Sequence, residues 1–265
     1  EQDRASEAEH YKHMGDLLSA YLHTASPHAE SVTVPDYLQE NREIEIPLDP
    51  RLSPVQNIQE YYRKYQRAKR AADHLEQRVA EAQMEASYLS QLIASVEMAE
   101  SEDELADIEQ ELREQRLLPP GGKGQPVRKK SVPSRPLRFI GSEGHLIFVG
   151  RNNKQNDQLT LRTARPDDLW FHTKDIPGSH VIMRVAEAGP PSEQAIEEAA
   201  MIAAYYSKAR SSANVPVDYV ARKHVRKPPG APPGYVIYDH HRTVYVTPSE
   251  EKIAALRDQQ AEPSS

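Results

Sequence analysis

A chain of 265 residues suggests about two domains, on a soft prior of roughly 100–200 residues each. At 38% hydrophobic, 28% charged and 6% aromatic it is lean in core formers, which predicts an elongated molecule rather than one globule. The absence of cysteine excludes disulfides and thiolate metal sites and suits a reducing, cytoplasmic setting. No apolar run approaches the ~18 residues of a spanning helix, so no membrane is expected as a partner.

The net charge of −7 is unevenly divided. Residues 1–120 carry 12 Lys and Arg against 25 Asp and Glu, residues 121–247 carry 19 against 11, and residues 248–265 carry 2 against 4. A second half of net +8 suits phosphate neutralisation, whereas an acidic helical half reads as solvated faces with a structural role.

Residues 3–23 place Ala8, Tyr11, Gly15, Leu18 and Leu22 at steps of three and four, one face of a helix. No capping signal precedes it and no Met opens the chain, so a piece of a longer protein is expected. Ser31–Val34 and Ile44–Leu48 read as a small hairpin around the polar turn Gln39–Arg42. Ser53-Pro54 then opens the longest helix, with Ser as N-cap and Pro at the first position. Ile58, Tyr61, Tyr65, Ala68, Ala72, Leu75, Val79, Ala82, Ala86, Leu89, Ile93 and Val96 make a heptad seam. Ser101 with Glu104 forms a capping box before a short returning helix marked by Leu105, Ile108 and Leu112. The spacing predicts an antiparallel helical arm over 1–118, with helix 3–23 at the base of the long helix and helix 102–116 at its tip. A parallel dimer through the same seam is the alternative, and a monomer is the expected working state.

The Pro/Gly/basic segment 119–136 reads as a linker. From Leu137 the period becomes two, with strands expected at Leu137–Gly141, His145–Gly150, Gln158–Arg162, Leu169–Thr173 and His180–Arg184. Gly150–Asp157 and Lys174–Ser179 read as turn-rich connections. Ser192 caps a helix to about Arg210, and Tyr235–Tyr238 with Thr243–Thr247 reads as a closing hairpin before a helix capped by Pro248-Ser249. The expected fold is α+β. A long antiparallel helical coiled-coil arm precedes a small, mostly antiparallel sheet domain over 137–258 with one main packing helix, and 259–265 is a disordered tail.

The chemistry-bearing motifs point away from catalysis. His172, His180, His224, His240 and His241 fall in the second domain, but none makes a His-x3-His or Glu-x-x-His helical pair, and no metal or other cofactor is expected. Asp157, Asp167 and Asp168 lie at turns, where Asp commonly binds its own backbone. Ser179-His180 lacks a nucleophile elbow, and neither phosphate-binding Gly signature occurs. No catalytic residue is assigned.

Recognition remains. Arg151, Asn152, Asn153, Lys154 and Asn156 crowd one donor-rich loop suited to phosphate, sugar and base edges. Arg162, Arg165, Lys174 and Arg184 follow, and Arg222, Lys223, Arg226 and Lys227 form a second basic stretch. Trp170 and His172 alternate on one strand face, either as core or as a stacking platform for unpaired bases.

The run VGRNNKQNDQLTLRTARPDDLWFHTKDIPGSHVIMR, the helix AAYYSKA (203–209) and VPVDY (215–219) resemble the NFACT-R domain. The start YYRKYQRAK (61–69) of the long helix resembles the coiled-coil middle region of the RqcH/NEMF family, also labelled fibronectin-binding protein A-like. The resemblance covers nearly the whole chain. It implies a ribosome-associated quality-control factor that binds obstructed large ribosomal subunits (rRNA and ribosomal proteins) and tRNA. It further implies support of C-terminal tailing without mRNA, with alanine in the bacterial case, the ribosome itself forming the peptide bonds. The family's NFACT-N domain, helix-hairpin-helix module and tRNA-selecting Asp-Arg pair have no assigned counterpart here, so this segment alone is not expected to sustain tailing. The older label implies the alternative of a surface fibronectin-binding adhesin.

Overall fold

The computed structural model describes residues 2–119, 134–185 and 189–257. Most of the basic segment 119–136 and the whole tail 259–265 therefore lie outside the described residues. The chain forms two compact units, residues 1–83 and 84–265.

The first unit contains α1 (Gln2–Ala20), β1 (Ser31–Asp36), β2 (Arg42–Pro47) and the first thirty residues of α2 (Pro54–Met98). The expected hairpin forms, pairing Ser31 with Pro47 through to Asp36 with Arg42. At the start of α2, Gln56 N donates to Ser53 Oγ at 3.3 Å while Ser53 N donates to Gln56 Oε1 at 2.8 Å, a reciprocal cap. Met14, Leu17 and Leu18 of α1, Val32, Val34 and Ile46 of the hairpin and Tyr61 of α2 form one small core. Lys64 lies over the Tyr11 ring and Tyr62 OH donates to Asp16 at 2.6 Å, so α1 runs antiparallel to α2. Gly15 lies at this contact, where a Cβ would meet Tyr61 and Tyr62 atoms at an ordinary 3.4 Å.

The second unit takes the last fifteen residues of α2, followed by α3 (Glu102–Glu114) and a six-stranded antiparallel sheet. The sheet comprises β3 (Leu137–Ile140), β4 (Leu146–Val149), β5 (Leu169–Thr173), β6 (Val181–Met183), β7 (Val215–Ala221) and β10 (Arg242–Val246). Their spatial order is β10-β7-β5-β6-β4-β3. The Ala-rich α5 (Glu193–Tyr205), capped by Ser192, covers one face. Small residues Ala195, Ala199, Ala200, Ala203 and Ala204 let it lie close to Phe139, Phe171, Val181 and Met183. The closing helix α6 (Glu250–Leu256) adds Ile253 to the same core and is capped by Ser249.

The opposite face is also covered. Trp170, Ile182 and Val220 pack with Leu159, Val225, Val236 and Tyr238 from the segments laid across them. Adjacent strand residues point to opposite faces, yet Trp170 (1% exposed) and Phe171 (0%) are both buried because both faces have a lid. Of the two readings of Trp170, core and stacking platform, the structure shows core.

Three expectations need correction. First, Gln158–Arg162 is not a strand. Residues Asn153–Gln158 form the short helix α4, which runs into a π-helical turn at Leu159–Thr163, closed by Ala164 N donating to Leu159 O at 2.8 Å. The Leu159/Leu161 alternation imitated a strand over too few residues to separate the two periods.

Second, the closing hairpin does not form. Short strand β9 (Ile237–Tyr238) pairs with β8 (Val225–Arg226), while β10 pairs with β7. The strand β7 was missed because Pro216 interrupts its pattern. Pro216 lies one residue beyond the last β5–β7 pair, Thr173 with Val217, and there its carbonyl accepts from Lys174 N at 2.9 Å.

Third, the seam of α2 is used only near its start, where Tyr61 and Ile58 pack against α1 and the hairpin. At its other end neighbouring residues outside the seam make the contacts. Towards its C-terminus Tyr88 and Leu92 pack with Ile108 and Leu112 of α3, while the seam residues Val79, Leu89, Ile93 and Val96 are exposed.

Candidate nucleic-acid interface

The stretch expected to be an open donor-rich loop is instead built into the domain. Asn152 caps α4 by accepting from Gln155 N at 2.9 Å, and Arg151 N donates to Gln155 Oε1 at 3.1 Å. Asn156 Oδ1 accepts from His180 N at 3.0 Å. Asn153 is 1% exposed and donates to Glu111 Oε1 of α3 at 3.1 Å. All three asparagines are buried within the fold, and Asn153 Oδ1 has no partner among the described residues. The signal was readable: an Asn three residues before a Gln is an N-cap pattern.

Two glycines fit this packing. A Cβ on Gly150 would stand 2.1 Å from Asn156 Oδ1. Gly234, at φ +77°, would bring one within 2.7 Å of Asn153 Oδ1.

The cations of the same stretch face acids of α3. Arg151 pairs with Glu104, and Lys154 with Glu114 at 2.7 Å. Beneath them Glu111 is buried, accepting from Tyr88 OH at 2.8 Å as well as from Asn153. Burial pushes the Glu111 carboxyl above its ordinary range, against the two hydrogen bonds, and pushes the Tyr88 phenol up as well.

The remaining cations gather at the end of the π-helical turn. Arg222 donates through Nε to Thr160 O at 2.6 Å and through Nη2 to Leu161 O at 3.1 Å, and Arg184 Nη2 reaches Thr163 O at 3.1 Å. These two guanidiniums satisfy carbonyls at a helix C-terminus, where cations are electrostatically favoured. Arg184 also faces the buried Asp168 at 3.4 Å.

Around them lie Arg162 and Arg165, both exposed, and Lys223, 54% exposed, which meets Asp167 at 3.0 Å. Backbone bonds hold the group together: Arg222 N donates to Asp168 O at 2.8 Å and Lys223 N to Pro166 O at 2.9 Å. Arg226, 67% exposed, pairs with Asp239 at 3.1 Å, whereas Lys227 is largely covered and pairs with Asp157. Lys174 is exposed on the turn after β5 and, like Arg162, meets no acid within salt-bridge distance among the described residues. Exposed ion pairs contribute little stability, so Lys223 and Arg226 can exchange their carboxylates for phosphates at small cost.

The histidines divide between structure and surface. His180 is buried against Thr160 Oγ1 at 2.8 Å, and Trp170 stacks on His172 with ring centroids 5.7 Å apart. Burial holds the His172 and His180 imidazoles below their usual range, and the neighbouring His172 adds to the effect on His180. His224, Asp239 and His240 bring three possible metal-ligand atoms within 4.8 Å of one another. That Asp239 is already engaged by Arg226, and the group lies at the surface.

Fold and surface together define an α+β protein whose sheet domain carries exposed cations beside a cluster of aromatic and imidazole rings. Residues 1–131 match the family model described as NFACT N-terminal and middle domains, and residues 135–239 match that of the NFACT protein RNA binding domain. The Rqc2 homolog RqcH of Bacillus subtilis (strain 168) is 43% identical over 253 residues, covering 94% of this chain and 43% of the relative. The Rqc2 homolog RqcH of Streptococcus suis (strain 05ZYH33) is 39% identical, covering 94% and 44%. Among solved structures, the C-terminal part of the fibronectin/fibrinogen-binding protein from Streptococcus suis superposes with a TM-score of 0.71 at 34% identity, covering 97% of this chain and 88% of that one. The chain belongs to the NFACT family that includes RqcH. It spans about two fifths of the length of these curated relatives. Among the described residues no helix is long and apolar enough to cross a membrane.

Proposed function

We propose that this chain is the RNA- and ribosome-binding segment of a ribosome-associated quality-control factor, acting in the cytoplasm. Its part is to engage obstructed large ribosomal subunits and tRNA so that stalled nascent chains receive C-terminal alanine tails. The single observation that carries the reading is the match of residues 135–239 to an RNA-binding domain in a chain 43% identical to RqcH. The exposed cations Arg162, Lys174, Lys223 and Arg226 on that domain support it. The segment binds and positions, and it carries out no bond chemistry of its own.

Cosedimentation of the chain with purified large subunits at ~50 mM salt tests this. Retention that is lost on raising salt is expected, because each phosphate contact releases counterions. Absence of retention at low salt overturns it.

A second reading comes from the similar Streptococcus suis structure, whose protein is named a fibronectin/fibrinogen-binding protein. On this reading the segment would bind a matrix protein. Saturable binding to immobilised fibronectin, unaffected by competing RNA, would favour it over the first.

A further inference from the structure

Beside the sheet face that carries Trp170 lies a cavity of about 190 Å³, bounded by β5 and β6 on one side, by α2 on another and by the segment leading into β9 on a third. Its walls are mainly aromatic or imidazole rings. Trp170 and Tyr238 meet with centroids 4.7 Å apart, His172 is stacked on Trp170, and His180 stands edge-on to both. The exposed Ser87 of α2 lies at its edge.

Two features of this lining point to a ligand. The indole N–H of Trp170 is buried with no acceptor among the described residues, and a buried donor left unpaired is costly, so it is normally matched by something. Apart from Asp175, the polar groups of the lining are uncharged and oriented. Gly178 N donates to Gln91 Oε1 at 3.0 Å, which fixes that amide and turns its Nε2 towards His172 Nε2 at 3.3 Å. His172 is thereby set as acceptor at Nε2. With both imidazoles kept neutral by burial, each has one donor and one acceptor nitrogen, and His172 Nε2 and His180 Nδ1 are already engaged by Gln91 and Thr160.

A cavity of this size, walled by rings and edged by neutral donors and acceptors, suits a flat heterocycle carrying its own donors and acceptors. It does not suit a phosphate, because among the described residues no cation lines it and Asp175 does. The exposed cation Lys174 directly precedes the lining residue Asp175 in the chain. Gly234, in the wall, donates its N–H to Asp157 at 2.9 Å, and the same carboxylate pairs with Lys227.

We propose that this cavity takes one unpaired nucleobase, held against the half-buried Tyr238 and His172 rings that pack on the buried Trp170, and is the base-recognising subsite of the RNA surface. The proposal rests on the RNA-binding reading above and deepens it. Single-stranded RNA would place a base here while its phosphates lie along the neighbouring cations.

Trp170 is the only tryptophan of the chain, so its fluorescence reports on the cavity directly. The chain is titrated with adenosine, guanosine, cytidine and uridine, with ribose 5-phosphate as a base-free control and tetramethylammonium as a cation control. Saturable quenching by at least one nucleoside and by neither control is expected. Ser87→Phe, at an exposed helix position, should fill the mouth and abolish that quenching while circular dichroism and melting temperature stay unchanged. Its affinity for a short single-stranded RNA should fall about tenfold, in line with the loss of one stacked base.

No saturable quenching by any nucleoside, or quenching that persists in Ser87→Phe, overturns the proposal. So does a response to tetramethylammonium alone, which would make the cavity an ammonium cage. Salt-dependent RNA binding with a silent Trp170 sinks the cavity and leaves the RNA-binding reading standing. Nucleoside quenching without any RNA binding does the reverse.

Discussion

Asn156 shows at the residue scale how far side chains that look like recognition groups can be committed to structure. Its amide oxygen accepts from His180 N, and Gly150 leaves the space it occupies. Asn156→Ala strands a buried backbone donor, so a loss of about 1–3 kcal/mol in urea denaturation is expected, with RNA affinity of the folded fraction unchanged. A variant of normal stability that no longer binds RNA would contradict this assignment. The buried imidazoles set a pH dependence. Burial lowers His172 and His180, so the folded state holds them neutral while the unfolded chain takes up protons around pH 6.5. Their contribution is fully present above that value and is lost as pH falls through it. The slope is at most about 1.4 kcal/mol per pH unit for each histidine. Glu111, which burial raises, has the opposite dependence above its unfolded value, so the measurement belongs in a Glu111→Gln background. A melting temperature that does not change between pH 7.5 and about 5.5 in that background would contradict the account.

At the scale of elements, Ile108 of α3 is 1% exposed and packs on Tyr88 and Leu92 of α2. Ile108→Ala should cost about 2–5 kcal/mol, read by denaturant midpoint, and a negligible change would mean that α3 is not docked as described. The elements also show what the sequence could and could not convey. The four serine caps at Ser53, Ser101, Ser192 and Ser249 mark helix starts because capping is a local hydrogen bond written within four residues. The hairpin and the strands β3 to β6 follow from their period of two. By contrast, α4 and its π-helical turn were hidden because Asn-rich composition reads as loop and Leu159/Leu161 as strand. Besides the local Asn152–Gln155 cap, only tertiary partners, Glu111 beneath Asn153 and His180 beside Asn156, decide otherwise. The pairing of β10 with β7 rather than β9 was equally out of reach, since strand order depends on long-range partners. The heptad seam was legible as a pattern, but the face that finds partners near the end of α2 was not: Leu92, outside the seam, is buried where the adjacent seam residue Ile93 is exposed.

Across the whole molecule, the charge division read from composition survives, but its working part is narrower than the set of basic residues. Arg151 and Lys154 face Glu104 and Glu114, and Arg184 and Arg222 bind helix carbonyls. This leaves Arg162, Lys174, Lys223 and Arg226 as the exposed cations best placed for phosphate, with Arg165 exposed beside Arg162. The most direct measurement is the salt dependence of RNA affinity for the unaltered chain and for the quadruple charge reversal Arg162→Glu, Lys174→Glu, Lys223→Glu, Arg226→Glu. The unaltered chain should bind tRNA at ~50 mM salt with log affinity falling linearly in log salt. The reversal should flatten that slope by about 0.7–0.9 for each phosphate contact removed. Equal slopes for the two proteins, or no binding by the unaltered chain at low salt, would contradict the claim that this surface engages RNA.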